Sequence, residues 1–144
     1  MRPYRFSMDR ILEWREVLEK DHKDRLARKK HQIDIKNMEL DELLKEYDKA
    51  KSNTRVFRNV QDLTQSQLYR QRLSDQIKEK RGYLTRLENE LEETRKELVQ
   101  ARRDKLAMEK LKEKDKEKYD EKVKQKEQEF LDEISSTRYS RQDD

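Results

Sequence analysis

The sequence predicts an all-α fold: two long helices forming an antiparallel coiled-coil hairpin, with the second helix overhanging the first. Three observations predict it. The 144 residues are 49% charged and 31% hydrophobic, with one Gly, one Pro and a mean hydropathy of −1.51, too little apolar surface to offset the entropy of a compact globular fold. The charged residues include many Glu, Lys and Arg, which favour helix, and Leu, Ile and Tyr recur among them at heptad spacing. One stretch alone, KSNTRVFRNVQD at 51–62, breaks the pattern.

Helix one is expected over about 7–52. Pro3 precedes any helical pattern. Ser7 is a candidate N-cap, with Asp9 in the first turn where the helix dipole favours an anion. Phe6 is placed to staple onto Ile11. Ile11, Trp14, Leu18, Leu26, Ile33, Leu40, Leu43, Leu44 and Tyr47 then continue without a breaker. Leu26, Ile33, Leu40 and Tyr47 stand seven apart, whereas the step from Leu18 to Leu26 is eight and reads as an irregular register.

The connection falls at about 53–59. Ser52, Asn53 and Thr54 favour turns, and Asn59 with Asp62 resembles a capping box that starts helix two at about 60. That helix shows Ile77, Leu84, Leu91 and Leu98 seven apart, with Leu87, Thr94, Ala101 and Met108 as the companion row. Gly82 inside it costs about 1 kcal/mol relative to Ala, too little to end a helix with seam residues on both sides. Past Met108 the spacing reads as eleven, in Met108, Tyr119 and Phe130 and again in Val123 and Ile134. Helix two is expected to about 136, with a frayed tail over 137–144, the whole making one elongated domain.

Folding back near residue 56 puts residue i opposite about 113 − i. Leu40 then meets Leu73, Leu26 meets Leu87, Trp14 meets Leu98 and Ile11 approaches Ala101. The two helices are about 70 Å and about 115 Å long at about 1.5 Å per residue, so the polar tract 108–135 is left without a partner helix.

Charge and chemistry exclude several functions. The net charge is +4, but the signs interleave: 14 Lys/Arg against 12 Asp/Glu over 1–52, 14 against 10 over 53–110, and 9 against 11 over 111–144. That is the pattern of solvated helix faces rather than of a nucleic-acid-binding tail. RLARKKH at 25–31 is flanked by Asp21, Asp24 and Asp34 and reads as such a face. Cysteine is absent, which removes disulfides, thiol nucleophiles and thiolate metal sites. His22 and His31 are nine apart and do not share a helix face at i,i+4. Two helices offer no pocket for paired carboxylates, and no Gly-rich phosphate loop exists. No enzyme activity, cofactor, metal or nucleic acid is expected. The start, MRPYRFSMDRILEW, lacks the apolar core of a signal peptide and no apolar run is long enough to span a bilayer, so a soluble cytoplasmic chain without membrane insertion is expected.

The aromatics are where partners would bind. Tyr47, Phe57 and Tyr69 lie near the turn with Leu40, Leu43, Leu68 and Leu73, serving either to pack the seam or as a docking surface at the tip. Tyr119 and Phe130 lie beyond the first helix and are expected to be uncovered.

Two stretches resemble the FliJ family of flagellar type III export proteins. FSMDRILEWREVLEK carries Phe6, Leu12, Arg15 and Glu16 at the expected places of the family's opening. The more distinctive match is MEKLKEKDKEKYDEKVKQKEQEFLDEISSTRYSR, with Leu111, Lys112, Tyr119, Lys126, Glu127, Gln128, Asp132, Glu133 and Arg138. QLYRQRLSDQI is a weaker match. The resemblance implies a two-helix coiled coil similar to the central stalk of rotary ATPases. It implies three partners: the hexameric flagellar export ATPase, whose assembly and activity the stalk promotes; the cytoplasmic domain of the export gate membrane protein; and export-substrate chaperones. It also implies a cytoplasmic location, peripheral to the membrane through the export apparatus. By position, Leu40, Leu43, Tyr47, Tyr69 and Leu73 would face the gate. Phe6, Trp14, Met108, Leu111, Tyr119, Val123, Phe130 and Ile134, at the joined ends, would face the ATPase. The alternative is a generic structural coiled coil or spacer with no ATPase partner.

Overall fold

A heptad-patterned chain with one break should give two helices, and the computed structural model has that architecture. It describes residues 2–52 and 57–143. Residues 53–56, including Asn53 and Thr54 of the expected turn, lie outside the described residues. Helix α1 is Asp9–Ser52 and helix α2 is Val60–Asp143, 44 and 84 residues long. The fold is an all-α hairpin with the two helices packed against each other. α2 continues in helix through the expected tail to Asp143.

The α2 start is built as the Asn59–Asp62 pattern suggests. The Asn59 side-chain oxygen accepts from the Asp62 N–H at 2.8 Å, which satisfies one of the first-turn donors. At the α1 start the turn closes through the backbone: Asp9 N–H donates to the Phe6 carbonyl at 3.3 Å and Leu12 N–H to the Met8 carbonyl at 3.0 Å. Phe6, expected to staple onto Ile11, is 8% exposed while Ile11 is 45% exposed, and Phe6 lines a crevice together with Leu111 of α2.

Contacts divide the chain into two compact units, each described by itself. The unit of Lys20–Val99 holds the turn end of the hairpin. Ile33, Leu84 and Leu87 form its buried cluster, with Leu40 and Leu91 packed against it. Lys80 with Glu39, Lys29 with Glu90 and His22 with Glu97 pair across the helices. The residue numbers of each pair add to 119 rather than the expected 113. Leu87 accordingly packs with Ile33 and not opposite Leu26. Among the covered positions of α1 here, 22, 26, 29, 33, 36, 40, 43, 47 and 50 alternate steps of four and three, with Glu39 and Leu44 half-buried on the flank. The irregularity expected before Leu26 is therefore absent, since His22 and Lys29 occupy seam positions that hydrophobic spacing alone skips.

The unit of Met1–Glu19 with Gln100–Asp144 holds the joined ends. Leu12 is the buried residue of α1, at 5% exposure, while Ile11 and Trp14 point outward at 45% and 54%. Arg15 pairs with Asp104 at 3.1 Å, Glu19 with Lys105 at 2.6 Å and Arg102 at 3.4 Å, and Asp9 with Lys112 at 3.2 Å. On α2 the covered row is Ala101, Lys105, Met108, Lys112, Tyr119 and Val123. It keeps heptad steps through Lys112, so the eleven-residue spacing of the apolar types is one heptad plus four. Lysine stems can cover a seam while their heads reach carboxylates on the flank.

Burying a Leu or Ile contributes about 1.5–3 kcal/mol, against about 0.2–1 kcal/mol for an exposed ion pair. The leucines hold the helices together. The ion pairs settle which heptad faces which.

Candidate functional surfaces

Near the turn, the five residues expected at the tip do not form one open patch. Leu73 is 3% exposed and belongs to the seam, Leu40 is half-buried against the core cluster, and Leu43 and Tyr47 are half-buried. Tyr69 is open at 47%. Its neighbour Leu68 is open at 59%, and Phe57, Val60 and Leu63 nearer the turn are exposed as well. Leu68 precedes Leu73 by five, off the heptad row, so its exposure was readable once the row was followed through Arg70. A groove of about 540 Å³ opens on the flank, lined by Leu43, Tyr83 and carboxylates including Glu42, Glu46 and Glu79. The Tyr83 ring has Lys36 Nζ at 5.6 Å and Arg86 Cζ at 5.8 Å from its centroid, within cation–π range.

At the joined ends the expected contact residues divide three ways. Phe6 is buried and Met108, Tyr119 and Val123 are half-buried. Trp14, Leu111, Phe130 and Ile134 are exposed, at 54%, 43%, 62% and 37%. The Arg15 guanidinium lies 4.8 Å from the Trp14 ring centroid. Leu131 and Tyr139, not singled out from sequence, are also open at 56% and 70%. Tyr119 is not left uncovered as expected. The segment before α1 runs back along α2, and the Tyr119 hydroxyl donates to the Arg2 carbonyl. The Tyr4 and Tyr119 rings pack with centroids 5.4 Å apart. The Tyr4 hydroxyl is 3.3 Å from the Lys112 carbonyl and 3.2 Å from Asp115 Oδ2. Loss of water first, and then the hydrogen bond to Asp115, push the Tyr4 phenol above its ordinary 10.0. Tyr4 gave no sequence signal, because it precedes the helix and has no periodic row to join.

From Val123 to Phe130 is one heptad, and Ile134 follows by four. Upstream, Tyr119, Lys112 and Met108 of this seam are half-buried, while residues 113–118 are exposed. Beyond Val123 every described side chain is exposed through Gln142.

No group of three or more metal-ligating side chains occurs among the described residues, and no helix is long and apolar enough to cross a membrane. The architecture defines a protein that presents helix faces: an antiparallel hairpin whose longer helix carries an apolar row past its covered portion. The chain belongs to the FliJ family, matching the family described as Flagellar FliJ protein over residues 4–144. Membership makes it a component of the flagellar protein export apparatus, a family whose role there is non-catalytic. No curated protein and no solved structure matches the chain.

Proposed function

We propose that this chain is the stalk of the flagellar export ATPase: it binds the ATPase ring through its joined ends and promotes hexamer assembly and turnover. The observation that carries the reading is the row Val123, Phe130 and Ile134, which continues the half-buried seam of Met108, Lys112 and Tyr119 into a stretch where every described side chain is exposed. A ring-inserted helix must be long, stiff and soluble when free. The breaker-free 108–135 tract meets that requirement, and its sparse apolar row offers the ring a grip. Trp14, Met108, Leu111 and Tyr119 would complete the contact, with Phe6 acting from beneath by holding the segment before α1 against α2.

The turn end would meet the cytoplasmic domain of the export gate. Leu40, Leu43, Tyr47, Tyr69 and Leu73 remain the proposed residues, with Tyr69 and the adjoining Leu68 making first contact because they are the open ones. Leu73, in the seam, would support that surface from behind. Export-substrate chaperones are proposed as further partners, and a cytoplasmic location peripheral to the membrane follows from these partners. The test is the mass distribution of the purified export ATPase with and without the chain. A shift from monomer towards hexamer is expected, and an unchanged distribution would overturn the reading.

A further inference from the structure

Docking of the pre-helical segment builds a crevice with one sign of charge. Its lining includes Arg2, Arg5, Lys126, Pro3 and the Tyr119 ring, around a volume of about 800 Å³. Two contacts fix it: the bond from the Tyr119 hydroxyl to the Arg2 carbonyl, and the packing of Tyr4 on Tyr119. In the same unit Lys105 pairs with Glu19 and Lys112 with Asp9. Among the described residues neither Arg2, Arg5 nor Lys126 pairs with a carboxylate within 4.0 Å. Three cations and an aromatic ring line this crevice without a carboxylate in its lining, and the ligand chemistry they fit is an anion.

We infer that this crevice binds an acidic, extended peptide segment of a partner protein, its carboxylates meeting Arg2, Arg5 and Lys126 and its chain lying on the Tyr119 ring. The surroundings select a narrow occupant. Residues 113–133, all round this part of α2, carry six lysines against nine carboxylates, so an extended anionic surface such as a membrane or a nucleic-acid backbone meets net repulsion. A single chain reaching into the crevice meets the cations first. The inference deepens the stalk reading and rests on it only for the source of the segment, a partner docked at the joined ends.

The test uses the full chain and a capped, fluorophore-labelled peptide of six glutamates, with binding read by anisotropy and no ATPase present. The expected result is saturable binding that weakens about tenfold when Arg2, Arg5 and Lys126 are all changed to Ala, because exposed ion pairs each contribute little. Removing equal charge at Arg25, Arg28 and Lys30, which do not line the crevice, should change it less than about twofold. Tyr119→Phe, which keeps the ring but loses the bond to Arg2, should weaken it partway. Absence of binding by the intact chain, or equal loss in the two triple variants, would overturn the inference. Because the ATPase is absent, either result is separable from success or failure of the stalk reading.

Discussion

Glu39 of α1 and Lys80 of α2 pair across the hairpin, and with them the helices take a register six residues from the one that hydrophobic matching suggests. Matching leucines gives i opposite about 113 − i; the cross-helix pairs of the turn unit add to 119. A shift of six falls one residue short of a heptad and brings a seam close to itself, so apolar spacing is nearly blind to the difference. Cysteines at Glu39 and Lys80 should therefore link readily within one chain through a short thiol cross-linker. Cysteines at Glu39 and Ser74 are offset by about 9 Å along the axis and should link poorly. Equal yields, or the reverse order, would restore the other register.

Core strength should follow the leucines. Leu84, in the buried cluster, is 6% exposed, and no large side chain among the described residues falls below 2%. A seam this open can partly collapse, so Leu84→Ala should cost about 2–3 kcal/mol, the lower end of the range for buried leucines. Leu68→Ala, on the open surface, should stay within about 0.5 kcal/mol. Urea unfolding followed by far-UV circular dichroism checks both.

Gly82 lies inside α2 with helical backbone, and a Cβ there meets nothing within 4 Å. Gly82→Ala should raise stability by about 1 kcal/mol through the restricted unfolded chain and better helix propensity. A loss would mean that the position is needed open for a partner or a bend.

Acid should loosen both units. The Glu19 carboxyl is held below its ordinary 4.5 chiefly by the hydrogen bond from Lys105, against opposing loss of water and with Arg102 adding to the lowering. Glu39 is held below 4.5 by hydrogen bonds from Lys80 and then Lys36. Depressed carboxyls contribute stability above their unfolded value, and it is lost as pH falls through the folded one. The melting temperature should thus be flat above about pH 5 and fall below pH 4.5, and Glu19→Gln with Glu39→Gln should shrink that fall. At the other extreme Lys105, raised above 10.5 first by its hydrogen bond to Glu19, loses its contribution as pH rises through the raised value.

Helix content, the break and the α2 cap were legible in the sequence, since they rest on local chemistry: breaker-free tracts, heptad rows and an Asn three residues before Asp62. The seam was legible where it is apolar and hidden where it is charged. His22, Lys29 and Lys112 occupy seam positions, and a search for hydrophobic spacing passes over them. Trp14 and Ile11 were placed inward by size, although the row through Leu12, Arg15 and Glu19 turns them out. The cover over Tyr119 was illegible for another reason: it depends on a non-helical segment folding back over more than a hundred positions of sequence, which no local pattern encodes.

The central claim is that the uncovered end of α2 acts on the export ATPase. The most direct measurement is ATP turnover by that enzyme with the intact chain and with Phe130→Ala/Ile134→Ala, two exposed positions whose loss should leave the hairpin's melting unchanged. Stimulation by the intact chain that falls at least about tenfold in affinity for the double variant, the loss expected for two apolar anchors, is the predicted result. Equal stimulation by both chains, or none by either, would contradict the account.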